Sequence, residues 1–115
     1  MRNDRERLMD ILEAALKIEE RVVRGRDRFA AEEDLQIVLT HLVQVIGEAA
    51  SRLSADVAAR HPDIPWRQIV GMRNPVVHDY FEVDLDILWT AVTNDVPWLA
   101  RRVRRILDED RDGLD

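Results

Sequence analysis

The sequence predicts an all-α protein, an antiparallel bundle of four to five helices. Apolar residues recur every three or four positions along most of its 115 residues, which is the spacing of amphipathic helices. No stretch alternates apolar and polar residues in the manner of a half-buried strand. The segments between the periodic stretches are short, which favours antiparallel neighbours. The length further predicts one helical domain that spans residues 1–115.

Two long helices are predicted in the first half of the chain. The first runs from about Arg5 to Arg24, and Gly25 interrupts its periodicity. The charged residues Arg26 to Arg28 then predict a short polar loop. The second helix runs from about Ala31 to Leu53. Within it, Gly47 costs about 1 kcal/mol relative to alanine, and we expect this glycine to allow the close approach of another helix.

Shorter helices are predicted next. Ser54 is a suitable N-cap for a helix from Ala55 to Arg60, and the prolines that follow end that helix. Pro65 is placed at the first position of a further helical segment, which leads toward Arg73.

The last helix is predicted to begin after Asp84, a suitable N-cap. Pro97 lies inside this helix and removes one backbone donor, so we expect a kink near Pro97 or a restart near Asn94. The tail from Asp108 to Asp115 is expected to be frayed.

Composition excludes several classes of protein. With no cysteine, disulfides and thiolate metal sites are absent. The charged N-terminal residues do not resemble a signal peptide, and no apolar run approaches the ~20 residues of a membrane span. We therefore expect a cytoplasmic protein without a membrane segment. The net charge of -6 argues against a protein that coats nucleic acid non-specifically.

Basic residues are unevenly distributed. All but one of the 17 are arginine, and four of the arginines lie between Arg101 and Arg105. This run predicts either a local positive patch or a solvated helix face with ordinary ion pairs, and the second interpretation is favoured.

Other residues that could take part in binding or catalysis are interpreted as structural. The three tryptophans lie within apolar helical stripes and are expected to be packing anchors rather than platforms for bases: Trp66, Trp89 and Trp98. His41 is expected on a helix face. His61 and Asp63 have a spacing that can bind a metal, but the prolines beside them favour a turn. No metal or cofactor site is predicted.

The segment from Arg73 to Tyr80 combines a fixed cation, an amide, an imidazole and the only tyrosine of the chain. Arginine can hold a phosphate through two hydrogen bonds, and histidine can transfer protons near neutral pH. The Arg/His spacing is weak by itself, because so arginine-rich a chain offers such a pair by chance. The context strengthens it, since Asn74 follows the arginine and Tyr80 lies two residues after His78.

Four segments around this motif share a family pattern: Asp63 to Trp66, Gly71 to Asn74, Val77 to Phe81 and Asp86 to Trp89. They resemble the HepT-like branch of the HEPN superfamily. The pattern of that branch is an arginine, four intervening residues, a histidine, one residue and a tyrosine, which Arg73, His78 and Tyr80 match. Pro75 stands where an aliphatic residue is expected.

This resemblance implies the toxin of a toxin–antitoxin pair. The toxin would be a homodimeric, metal-independent endoribonuclease with its two motifs facing a cleft at the dimer interface. Arg73 and His78 would be catalytic, with Asn74 in support. The antitoxin would be a minimal nucleotidyltransferase, MntA-like, that transfers AMP from ATP to Tyr80.

The residue chemistry is compatible with that role. Histidine has an ordinary pKa of ~6.5, so His78 would deprotonate a ribose 2′-hydroxyl or protonate the departing 5′-oxygen. Arg73 would stabilise the charge that builds up on the phosphate. If the motif is helical, Asn74 shares a face with His78, and Tyr80 lies about two turns from Arg73. AMP on Tyr80 would then oppose substrate entry by charge and volume.

Two other functions compete with this hypothesis. One is a noncatalytic HEPN dimer that binds or regulates a nucleotidyltransferase, which the acidic net charge supports. The other, which the sequence supports less, is a metal-dependent hydrolase.

Overall fold

The computed structural model describes residues 3–74, 77–78 and 82–113, and it confirms an all-α architecture. Its elements, in chain order, are α1 (Asp4–Val22), α2 (Arg26–Ala31), α3 (Glu33–Ser51), α4 (Ala55–Arg60), α5 (Trp66–Gly71), β1 (Val77–His78), β2 (Glu82–Val83), α6 (Leu85–Thr90), a π-helical segment (Ala91–Asp95) and α7 (Val96–Gly113). The two short strands pair antiparallel, with Val77 opposite Val83 and His78 opposite Glu82.

Three long elements enclose the core. α1 packs against both α3 and α7, and the apolar stripes predicted from the sequence lie at these interfaces. Side chains buried there include Leu8, Ile11, Ile18, Leu39, Ile46, Val103 and Ile106. Asn3 begins α1 with a capping box, in which its side chain accepts from the Glu6 amide and the Glu6 carboxylate accepts from the Asn3 amide.

The loop predicted at Arg26 to Arg28 is wrong, because these residues begin the short helix α2. Gly25 has a φ of +92°, a conformation that glycine adopts without a steric penalty, and it turns the chain directly into α2. Phe29 is buried, and the side-chain amide of Gln36 donates to the Phe29 carbonyl at 2.9 Å. This tertiary burial is not visible in so short and charged a stretch of sequence.

The predicted helix over Ala55 to Arg60 is confirmed at both ends. The Ser54 hydroxyl accepts from the Val57 amide, as an N-cap does, and it also donates to the Asp4 carboxylate at 2.7 Å. The Ser54 amide donates to the same carboxylate at 2.9 Å. Asp4 therefore joins the start of α1 to the start of α4.

The last helical region follows the prediction near Pro97 and departs from it at the tail. Asp84 caps α6, with its carboxylate accepting from the amides of Asp86 and Ile87 at 3.1 Å. The irregularity expected near Pro97 is the π-helical segment, in which the Val96 amide donates to the Ala91 carbonyl. The prediction of a frayed tail is wrong, because α7 continues to Gly113. After Pro97 in its first turn, α7 contains no proline or glycine before Gly113, and arginine, leucine and glutamate are good helix formers.

Candidate functional site

An open groove of about 920 Å³ lies beside the core and borders the predicted motif. Thr40 and Val43 of α3 line it, together with one side of α5 and the helical stretch from Leu88 to Leu99. Its lining is mainly apolar. The groove has a turn end, made of Met72, Asn74 and Asp84, and a helix end, made of Asp63, Trp98 and the nearby Arg102.

The turn end is formed where α5 stops. The amide of Arg73 donates to the Val70 carbonyl at 3.2 Å, and the amide of Asn74 donates to the Gly71 carbonyl at 3.1 Å. Both side chains are exposed, and Asn74 lines the groove. Two predicted site residues, Arg73 and Asn74, are thus presented by a tight turn.

Gly47 of α3 determines where this turn lies. A Cβ atom at Gly47 would lie 2.7 Å from the carbonyl carbon of Met72 and 2.8 Å from the Cα of Arg73, and it would overlap the backbone nitrogen of Arg73. The backbone of the turn therefore packs directly on the backbone of α3. The close approach expected at Gly47 is confirmed, but the neighbour is the turn that follows α5 and not another helix.

The helical arrangement of the motif is wrong. The chain leaves the helical conformation after Gly71, and His78 lies in β1, so Asn74 and His78 do not share a helix face. A proline at position 75 explains this locally, because it disfavours helix at Asn74 and lacks an amide proton. Tyr80, the predicted AMP acceptor, lies outside the described residues.

The positive charge of the Arg73 side chain is not paired with a carboxylate of any described residue. It is exposed, and no carboxylate in the described part of the chain lies within 4.0 Å of its guanidinium nitrogens. An exposed guanidinium at the edge of a groove can hold an anionic group through two hydrogen bonds. The backbone of His78 lies five residues further along, paired with Glu82.

The helix end is held by a bidentate ion pair between the α4–α5 turn and α7. The Arg102 Nε and Nη2 atoms donate to the two Asp63 carboxylate oxygens at 2.8 and 3.0 Å. These hydrogen bonds and the guanidinium charge lower the pKa of the Asp63 carboxyl and raise the pKa of Arg102, although desolvation opposes both shifts. The turn predicted at His61 and Asp63 is confirmed, since the Ile64 amide donates to the His61 carbonyl.

The remaining predicted residues fall into two groups. Trp66 and Trp89 are packing residues, as expected: the Trp66 indole donates to the His61 carbonyl, and the Trp89 ring lies 4.9 Å from that of Phe29. His41 is exposed on α3, also as expected. Trp98 differs, because 37% of its surface is exposed and it lines the groove.

Three arginines of the Arg101 to Arg105 run form a solvated helix face, as the favoured interpretation predicts, but among the described side chains the run lacks the ordinary helix-face ion pairs. Arg102 pairs with a carboxylate on a different element, and only 15% of its side chain is exposed. Arg101, Arg104 and Arg105 are exposed, and none of them has an ion-pair partner among the described side chains.

A family model described as ribonuclease HepT-like matches residues 11–106, a span that includes the groove, the turn and both motif residues Arg73 and His78. The chain belongs to the ribonuclease HepT-like family. This confirms the resemblance to HepT-like members of the HEPN superfamily, and it supports a ribonuclease.

Individual relatives in the family agree. A protein of Thermococcus cleftensis named "Probable ribonuclease HepT" is 35% identical over 107 residues, which cover 91% of this chain and 96% of the relative. A protein of Methanocaldococcus jannaschii with a provisional RNase name is 33% identical over 84% of this chain and 89% of its own length. One of Caldanaerobacter subterraneus, also provisionally named an RNase, is 30% identical over 72% of this chain and 74% of its own length. No solved structure matches the chain.

Three features of the site were not found in the sequence. The Asp63–Arg102 pair joins residues 39 positions apart, so no local pattern indicates it. The exposure of Trp98 depends on which neighbours cover it. The contact of Gly47 with the Arg73 backbone had only a general signal, a glycine in the middle of a strong helix.

Among the described residues, no helix has the length and apolarity needed to cross a bilayer.

Proposed function

We propose that this HepT-like ribonuclease is the toxin of a toxin–antitoxin pair and cleaves RNA as a metal-independent endoribonuclease. The observation that carries the proposal is the Arg73 side chain in a member of a ribonuclease family: it is exposed, it has no ion-pair partner among the described residues, and its neighbour Asn74 lines the groove. A fixed cation in this position would attract a phosphodiester.

In the proposed reaction, the ribose 2′-oxygen attacks the adjacent phosphorus, and the bond from phosphorus to the 5′-oxygen breaks. The products are a 2′,3′-cyclic phosphate and a 5′-hydroxyl. His78 takes the 2′-hydroxyl proton or protonates the 5′-oxygen, and its counterpart in a dimer performs the other task. Arg73 stabilises the additional negative charge on the phosphoryl oxygens in the transition state.

Asn74 has a supporting role in this proposal. Its side chain lines the groove next to Arg73, where a neutral amide can donate to a phosphate oxygen or accept from a ribose hydroxyl. Asn74 does not share a helix with His78, and in this proposal it acts on the substrate.

Regulation is proposed to occur at Tyr80. A minimal nucleotidyltransferase antitoxin, MntA-like, would bind the toxin and direct the Tyr80 oxygen at the α-phosphorus of ATP, releasing pyrophosphate and leaving AMP on the tyrosine. The added phosphate would compete with RNA for Arg73. Incubation with the nucleotidyltransferase and ATP should increase the mass of the wild type in steps of one AMP and leave Tyr80→Phe unchanged. No increase with an active transferase would indicate inhibition by complex formation alone.

A homodimer is proposed because the groove leaves apolar surface exposed. Its lining is mainly apolar, and Ile87 at its edge is 49% exposed. A second protomer facing the turn end would cover Ile87, bring two copies of Arg73 and His78 together and leave the helix end of the groove open. Light scattering should give twice the 13.4 kDa mass of the chain.

The second candidate function is a noncatalytic dimer that binds or regulates a nucleotidyltransferase, which the net charge of -6 supports. The decisive experiment compares the purified wild type with His78→Ala on total RNA, with and without EDTA. Cleavage by the wild type in EDTA, absent in the variant, supports the nuclease. Equal inactivity of the two proteins supports the noncatalytic dimer, and cleavage that EDTA abolishes supports a metal-dependent hydrolase.

A further inference from the structure

The helix end of the groove carries features that the proposed reaction does not use. Trp98 lies on α7 with 37% of its surface exposed, whereas Trp66 and Trp89 are half-buried and make specific contacts. Arg101 and Arg105 are exposed and have no ion-pair partner among the described side chains. An aromatic face beside two available guanidinium groups can bind a nucleobase together with its neighbouring phosphates.

These three side chains share one face of α7. At about 100° per residue, Arg105 lies about 20° and Arg101 about 60° around the helix from Trp98. Along the helix axis, Arg101 lies about 4.5 Å and Arg105 about 10.5 Å beyond Trp98. Arg104 points about 120° away from Trp98, although it is on the same helix and equally exposed. Arg104 is therefore an internal control, because it carries the same charge on the same helix but on a different face.

The electrostatics of this end favour an anion locally. Asp63 and Asp95 both line the groove, and the charge of Asp63 is offset by its bidentate pair with Arg102. Acidic residues bound the basic stretch at Asp95 on one side and at Asp108 and Glu109 on the other. A strongly basic surface is thus limited to about two turns of helix, even though the whole chain is acidic.

We propose that Trp98, Arg101 and Arg105 form a second subsite for single-stranded RNA, which holds the strand where it leaves the groove. The proposal rests on the ribonuclease function above, since the groove connects this subsite with Asn74 at the turn end. Trp98 stacks on one base, and the arginines bind the phosphates that follow. The subsite favours long, unpaired substrates over short ones and leaves the chemical step unchanged.

Binding is measured on the wild-type protein with 2′-O-methyl RNA, which lacks the attacking hydroxyl and stays intact. Fluorescence anisotropy as a function of salt is recorded for oligonucleotides of about 4 and about 16 nucleotides. Arg101→Gln/Arg105→Gln should weaken binding of the longer RNA and lower the slope of log Kd against log salt by about 0.7 per arginine. Arg104→Gln should behave as wild type.

Trp98→Leu should raise the Kd for the longer RNA by about 5- to 150-fold, which is the range for the loss of one stacked base. Trp98→Phe keeps an aromatic face and should retain most of the affinity. With unmodified RNA, both sets of variants should raise KM and leave kcat unchanged. Circular dichroism and size-exclusion chromatography of each variant control for folding and oligomeric state.

The outcomes separate this inference from the proposed function. Variants that bind the longer RNA like the wild type, with the same salt slope, would overturn the subsite. So would a Trp98→Leu protein that changes its oligomeric state and keeps its affinity for RNA, because Trp98 would then contact protein. RNA binding with the expected losses, but no cleavage by the wild type, would support the subsite and contradict the nuclease.

Discussion

The two ends of the groove are built differently. At the turn end, Arg73 and Asn74 lie on irregular backbone that packs directly against Gly47 of α3. At the helix end, Trp98, Arg101 and Arg105 lie on the regular helix α7, and Arg102 pairs with Asp63 of another element. The backbone of the turn end is thus positioned by its packing on α3, whereas the backbone of the helix end is positioned by the regular helix α7.

This difference has a functional consequence. Stabilising a transition state requires a guanidinium held in one place relative to the reacting phosphate. Holding a flexible strand needs charge and an aromatic face but little precision. Substitutions at the turn end should therefore reduce kcat, and substitutions at the helix end should raise KM.

The largest effect is expected from Arg73→Gln. Removing one preorganised donor to a developing oxyanion costs about 10²- to 10³-fold in rate, so kcat for RNA cleavage should fall by that amount. Arg67→Gln is the matched control, because Arg67 is also an exposed arginine but lies on helix α5, outside the turn that presents Arg73 and Asn74. Equal activity of the two variants would remove Arg73 from the reaction.

Gly47→Ala should break the contact that positions the turn end. Glycine to alanine in a helix normally stabilises by about 1 kcal/mol, but here the new Cβ meets backbone, and overpacking costs about 1–3 kcal/mol. We expect a lower free energy of unfolding in urea and a lower kcat. A Cβ at Gly71 meets nothing within 4 Å, so Gly71→Ala should be neutral or stabilising. A stabilised, fully active Gly47→Ala protein would show that the turn is not fixed by α3.

Asp84→Ala tests whether the N-terminus of α6 supports the turn end. The carboxylate accepts from two amides, and loss of such a cap costs about 1 kcal/mol. Chemical denaturation should show that decrease, with unchanged affinity for long RNA at the helix end. Ser54→Ala removes the cap on α4 together with the hydroxyl hydrogen bond to Asp4, away from the groove lining, and serves for comparison.

The smallest effect is expected from Asp63→Asn, and it should depend on pH. Arg102 holds the pKa of the Asp63 carboxyl below its ordinary value of 3.8. A lowered pKa in the folded state adds stability that is complete above the ordinary value and is lost as the pH falls through the lowered pKa. The variant should be less stable than wild type at neutral pH, and the two should converge in acid. Asp56→Asn, which breaks an exposed ion pair with Arg60, should hardly change the free energy of unfolding.

Much of the fold follows from local sequence. The apolar periodicity predicts α1, α3 and α7, and the cap residues Ser54 and Asp84 locate the starts of α4 and α6. The exceptions depend on tertiary contacts. α2 needs the burial of Phe29, and the orientation of Trp98 depends on neighbours distant in sequence.

The candidate site was predicted as a set of residues but not as an arrangement. Asn74 lines the groove and Arg73 precedes it in the same turn, whereas the helical arrangement considered for the motif is not present because α5 ends at Gly71. Helix propensity is favourable up to that residue, and Pro75 indicates that the helix ends nearby without fixing the residue at which it ends. The packing of the turn on Gly47 cannot be read from either segment alone, since it joins positions far apart in the chain.

The most direct test of the central claim is the identity of the RNA ends produced by the purified wild type in EDTA. Mass spectrometry of the fragments should detect 2′,3′-cyclic phosphate and 5′-hydroxyl termini, which His78→Ala and Arg73→Gln fail to produce. Fragments with 3′-hydroxyl and 5′-phosphate termini that form only when a divalent metal is supplied would contradict it.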